Sequence, residues 1–151
     1  MMDGVLMVTN MKININWLVF QAAVIAFVVL WTMTGLEKLI GFGEFQDAMQ
    51  NQTLPVGISR KLATLIVFLE LLFVPFLLFR KTQKWGLLLS ILLMTVFSTY
   101  IGLVWMGAFP RVPCSCAGFI ESMSWSGHLL FNLAFILLGV LGLMIKTEVE
   151  R

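Results

Sequence analysis

The chain holds two cysteines, one residue apart, in Val112-Pro113-Cys114-Ser115-Cys116-Ala117-Gly118. Two thiols at that spacing can cycle between dithiol and disulfide when the backbone bends enough to bring the Cα atoms within about 4.4 to 6.8 Å. Pro113 and Gly118 supply turn chemistry on either side of the pair. The ring so formed is small and strained, and strained bridges exchange more readily than structural ones. A structural staple joins distant segments, because closing a long loop removes more unfolded-state entropy, whereas this pair closes almost no loop. A redox-active dithiol is therefore the leading reading, beside inert neighbouring thiols and a metal site. For a metal, Cys-x-Cys lacks the C-x₂₋₄-C spacing of structural zinc sites, and the sole histidine, His128, is the one further ligand at hand. No resident metal is expected.

Other polar residues stand where apolar ones dominate. His128 opens the last apolar stretch, where it reads as a polar anchor of a helix end or, with its near-neutral reference pKa, as a proton-handling group beside the thiols. Asn132 follows one turn later on the same face, and the two could form a polar strip leading to the cysteine segment. Glu70 lies in the middle of Leu62 to Leu78 with no charge near it in sequence. A carboxylate within lipid is expensive unless it faces protein or water, so Glu70 should point inward, where a protonated form is open to it. It reads equally as a proton relay or head-group partner and as an interhelical hydrogen bond that fixes packing. Glu37 and Lys38 close the first apolar stretch, where Lys38 can snorkel to the interface and either charge can pair with a group on another helix.

The elements that must position these groups are membrane helices. Hydrophobic residues make up 60% of the 151 residues and charged ones 12%, far from the mix of a soluble domain. A spanning helix needs about 20 mainly apolar residues, and Trp17 to Ile40, Ile58 to Phe79, Trp85 to Phe109 and His128 to Ile145 meet that length. The fold predicted is all-α, a polytopic four-transmembrane-helix bundle in which residues 17–145 form one membrane domain between short tails, 1–16 and 146–151. The first span is read as a retained helix, since its apolar run exceeds that of a secretion signal, and Met11-Lys12 resembles a usual start more than Met1-Met2 does. Between the first two spans, Phe42, Phe45, Ala48 and Met49 recur at helical spacing opposite Glu44, Gln46, Asp47 and Gln50. That pattern predicts a short amphipathic helix on the membrane surface, ended by Leu54-Pro55, which bridges the spans or caps the bundle and shields the cysteine loop.

Arg80-Lys81-Thr82-Gln83-Lys84 is short and triply basic, so the positive-inside rule puts it in the cytoplasm together with both termini. The Cys114/Cys116 loop then faces the oxidising side, where disulfides persist. Tryptophans 17, 85, 105 and 125 fall near span ends as an aromatic belt, while Trp31 is deeper. Ser90, Thr95, Ser98, Thr99 and Gly102 read as small-residue packing positions in the third span. A transporter is disfavoured, because no pair of Gly/Pro-broken helices is evident. Lipid is an expected partner and nucleic acid is not.

In order and spacing, Gly35-Leu36-Glu37-Lys38-Leu39, Phe45, Leu54-Pro55, Glu70-Leu71-Leu72 and Cys114-Ser115-Cys116-Ala117-Gly118 resemble the MauE/DoxX-like membrane proteins, and within them the MauE branch, from about Trp17 to Ile145. The resemblance implies a redox-associated protein of the bacterial inner membrane that serves a periplasmic thioredoxin-fold partner in disulfide formation. Cys114 and Cys116 match that family's pair; Ala117 replaces a bulkier residue, which leaves the particular partner open. Quinone-linked oxidoreductases of similar four-helix design carry a second cysteine pair that this chain lacks. A quinone beneath the loop, with His128 or Glu70 managing protons, and relay to another subunit are the two routes left open for the electrons. The competing class is a non-enzymatic assembly or scaffold subunit whose cysteines are incidental.

Overall fold

Within hydrocarbon every backbone polar group must be satisfied internally, which restricts an open chain of this apolarity to helices. The computed structural model describes residues 15–51, 55–108 and 124–150. They form five helices: α1 (Ile15–Ile40), α2 (Phe42–Gln50), α3 (Val56–Leu78), α4 (Gln83–Trp105) and α5 (Trp125–Glu150). Four are long and apolar enough to cross a membrane, namely α1, α3, α4 and α5 over Trp125–Lys146. The protein is therefore a multi-pass membrane protein.

The spans close into a ring. α1 packs on α3 and α5, and α4 packs on the same two, so α1 and α4 stand nearly diagonal. The buried side chains of α1 include Phe20, Val24, Phe27, Trp31, Thr34 and Lys38, alternating steps of four and three. This 3.5-residue repeat keeps one seam turned to its neighbours in left-handed helix packing. The seam of α3 runs through Ser59, Ala63, Val67, Glu70, Phe73 and Leu77. At the centre, Trp31 meets Phe73 and Phe97 edge to face, at 6.1 and 6.5 Å between ring centroids. Its Nε1–H donates to Ser90 Oγ at 2.9 Å, and Ser90 Oγ–H donates to the Gly86 carbonyl at 2.7 Å. The outward residues, among them Ile25, Val29, Leu92 and Leu137, are exposed and apolar, as a lipid-facing surface requires.

Several helix ends differ from those predicted, for local reasons. α4 stops at Trp105 rather than Phe109 because Gly107 takes φ +74°. The Gly107 and Ala108 N–H groups donate back to the Val104 and Leu103 carbonyls, each at 3.0 Å, which is the Schellman pattern. Between α3 and α4 the turn is tight. A Cβ on Gly86 would fall 3.0 Å from backbone atoms of Phe76 and Leu77, and Thr82 Oγ–H reaches the Phe76 carbonyl at 2.8 Å. Of the expected small packing positions in α4, Ser90 and Ser98 are buried. Thr95 and Thr99 are instead exposed, with hydroxyls donating to the Ile91 and Thr95 carbonyls, and Gly102 has open space where a Cβ would point.

The amphipathic helix is present and does more than bridge. Phe45 and Met49 of α2 are buried against Ala63 and Val67 of α3, with Phe42, Leu62, Ile66 and Leu71 around them. α2 ends at Gln50, before the Leu54-Pro55 stop that the sequence suggested, and Pro55 caps the start of α3.

Candidate functional site

The seam positions bring two charges together inside the bundle. Lys38 lies in the last turn of α1, and the stepping from Trp31 through Thr34 carries it inward, away from the interface. Its Nζ donates to Glu70 Oε1 at 2.7 Å, with side chains 8% and 0% exposed. Of the two readings of Lys38, snorkelling to the interface and pairing with a group on another helix, the chain takes the second. In low dielectric the two opposite charges attract strongly, and that attraction offsets the cost of taking both out of water. The short contact lies within the range of a charge-assisted bond. Gly35 makes the approach feasible: a Cβ there would meet Leu71 Cδ2 at 2.8 Å and Glu70 Cβ at 3.5 Å.

The pair is covered. Phe45 of α2 presents its ring to Lys38 Nζ, 5.8 Å from the centroid, within the range of a cation–π contact. Thr34 stands beside the Glu70 carboxylate, within hydrogen-bonding reach of it, and its hydroxyl also lies 2.9 Å from the Leu30 carbonyl. Glu70 Oε2 is buried and without a hydrogen-bond partner among the described residues.

His128 sits in the first turn of α5, half-buried, and close enough to Lys38 for the ammonium charge to act on it. Asn132 is buried one turn further along α5. Lys38, Glu70 and His128 therefore gather near the end of the bundle where α1 finishes and α5 begins. Glu37 is half-buried, on a different side of α1 from the seam that carries Lys38. Cys114 and Cys116 lie outside the described residues.

Reading residue by residue misses the partnership of Lys38 with Glu70, and the contributions of Thr34 and Gly35 to it. A signal for it exists in the chain: Trp31, Thr34 and Lys38 continue the repeat begun at Phe20, Val24 and Phe27. Lys38 is therefore a core position by register alone.

A four-span bundle with one apolar seam, an ion pair buried within it and a helix laid over that pair defines a small polytopic membrane protein built around an internal polar centre. Residues 15–145 match the family model described as methylamine utilisation protein MauE. The chain belongs to the MauE family. No curated protein and no solved structure matches it.

Proposed function

We propose that this chain is an inner-membrane thiol/disulfide redox protein that exchanges electrons with a periplasmic thioredoxin-fold partner through Cys114 and Cys116, supporting disulfide formation or maturation of exported proteins. The observation that carries the reading is that the only two cysteines stand one residue apart in the stretch of sequence between α4 and α5, whose later flank, the start of α5, carries His128 within reach of the Lys38 charge. The family match includes that segment, and its description puts the protein in the setting of methylamine utilisation.

In the oxidising direction a partner thiolate attacks the Cys114/Cys116 disulfide, one S–S bond breaks as a mixed disulfide forms, and the partner's second thiolate resolves it. The partner leaves as a disulfide, and two protons end on Cys114 and Cys116. The opposite direction reverses each step. Arg80, Lys81 and Lys84 at the α3–α4 turn favour a cytoplasmic position for that turn, and with it a periplasmic one for the cysteine segment.

Replacement of both cysteines in Cys114→Ser/Cys116→Ser should abolish client disulfide formation while the protein level stays normal. Trapping the thiols of intact cells with a mass-adding maleimide should show a pair that is reduced by dithiothreitol and reoxidises when it is removed. Unchanged client maturation in the double variant would sink the redox reading. It would favour the second one, a scaffold subunit, for which the use of Lys38, Glu70, Trp31 and Ser90 in contacts between spans speaks.

A further inference from the structure

The two ends of the bundle differ in charge. At the end where α1 finishes and α3 begins, both signs are present: Glu37, Lys38, Glu44, Asp47, Arg60 and Lys61. At the end where α3 turns into α4, the charged side chains among the described residues are all basic. They are Arg80, Lys81 and Lys84 at the turn and Lys146 on α5, whose Nζ lies 5.3 Å from the centroid of the Phe20 ring on α1. Glu148 and Glu150 follow the end of the last span. Arg80 and Lys81 are exposed, and neither side chain has an ion-pair or hydrogen-bond partner among the described residues.

The turn that carries them is held in one shape. The Thr82 and Gln83 N–H groups both donate to the Phe79 carbonyl, at 2.9 and 3.0 Å. The Thr82 hydroxyl reaches the Phe76 carbonyl at 2.8 Å, and Gly86 lets α4 start against the backbone of Phe76 and Leu77. Orienting a span requires only that a loop be rich in lysine and arginine, not that it be fixed. A fixed backbone does something more: it presents its cations with less conformational freedom to lose on binding.

The occupant follows from the fold. On either side of the turn stand Phe79 and Trp85, 68% and 64% exposed. They are the outermost part of an apolar surface on α3 and α4, which are long and apolar enough to span a membrane. Lipid chains cover that surface, aromatic side chains sit at headgroup level, and Arg80 and Lys81 stand next to them in the turn. A guanidinium fork matches the oxygens of a phosphate, and unpaired cations at a bilayer surface favour lipids of net negative charge. We infer that the α3–α4 turn is a binding site for an anionic glycerophospholipid, its headgroup held by Arg80 and Lys81 and its chains lying on the surface that Phe79 and Trp85 begin. The site involves neither cysteine and is independent of the redox reading.

The test uses the purified, delipidated full chain in detergent, titrated with phosphatidylglycerol and with phosphatidylethanolamine. Native mass spectrometry counts the bound lipid and the thermal midpoint follows its effect. Phosphatidylglycerol should bind at least about fivefold more tightly, and Arg80→Gln and Lys81→Gln should each weaken it about fivefold. Phosphatidylethanolamine should be affected far less. Arg60→Gln/Lys61→Gln, the same chemistry at the opposite end, should leave the preference unchanged. Equal binding of the two lipids, or a preference that survives in Arg80→Gln/Lys81→Gln, overturns the site; the basic turn then serves only to orient the chain, or is neutralised by Glu148 and Glu150. Glycerol 3-phosphate that raises the midpoint as far as the lipid does would mark a site for free phosphate and overturn it as well. The comparison of the two lipids needs only the wild-type chain, so it decides the matter whatever the variants do.

Discussion

Lys38 and Glu70 each have a side chain that is tolerable in the membrane interior only because the other is there. Truncating one partner of a buried ion pair strands the other, at a cost of about 3 to 5 kcal/mol, whereas replacing both by apolar residues of similar volume is often neutral or stabilising. Lys38→Met and Glu70→Leu should therefore each lower the unfolding free energy by that amount, and the double variant should recover most of it. A double-mutant cycle from denaturant titrations in mixed micelles checks this; additive losses would show that the two side chains do not act as a pair. Ser90→Ala leaves the indole N–H of Trp31 without an acceptor and should cost about 1 to 3 kcal/mol in the same assay, with Ser90→Thr milder. At this scale the sequence marks Glu70 and Lys38 as unusual but not their relation. Glu70 is recognisable as an inward-facing carboxylate from its lone charge amid Leu62 to Leu78. Its counter-ion is not, because Lys38 lies 32 residues away and a lysine near a helix end is usually free to reach water.

For the helices, apolar length is enough to place four spans within a few residues, since hydrocarbon leaves a chain few other options. The ends are set by finer chemistry. Gly107 is visible as a helix stop, but its Schellman bonds have to outweigh the apolar residues beyond it before α4 can end at Trp105. The amphipathic pattern of α2 is legible from Phe42, Phe45 and Met49. Its docking on Ala63 and Val67 is not, because a surface pattern names a buried face without naming what buries it. The glycines allow a contrast within one helix. Gly86→Ala forces a methyl against the backbone of Phe76 and Leu77 and should cost about 1 to 3 kcal/mol by overpacking. Gly102→Ala meets nothing and should be neutral or stabilising by about 0.4 to 1 kcal/mol. Thermal unfolding followed by circular dichroism in detergent distinguishes them, and equal midpoints would contradict the tight α3–α4 turn.

Across the whole molecule, the alternation of spans places the α3–α4 turn at one end of the bundle, and the end of α4 with the start of α5 at the other. In a chain with Cys114 and Cys116 replaced by serine, single cysteines at Lys81→Cys and Ser124→Cys should react with a membrane-impermeant maleimide from opposite sides. Only Ser124→Cys should react in intact cells if the basic turn is cytoplasmic. Labelling of both from outside would refute the bundle's up-and-down path. The ring order α1, α3, α4, α5 is beyond the reach of sequence, since every span carries a comparable apolar face and only the fit of side chains such as Lys38 against Glu70 selects neighbours.

The separation of Lys38 from Glu70 also bears on how the protein is made. Chains emerge from the ribosome at about 5 to 20 residues per second, so the 32 residues between the two charges correspond to about 2 to 6 s. Throughout that interval Lys38 at the end of α1 lacks the counter-charge of Glu70. The arrival of α3 supplies the counter-charge, before α4 and α5 have left the ribosome. The ion pair thus acts during biogenesis as a latch that closes on the first half of the molecule. In a nascent chain arrested once α3 has left the ribosome, a cysteine pair placed across the α1–α3 seam should already cross-link, and Glu70→Leu should weaken that cross-linking.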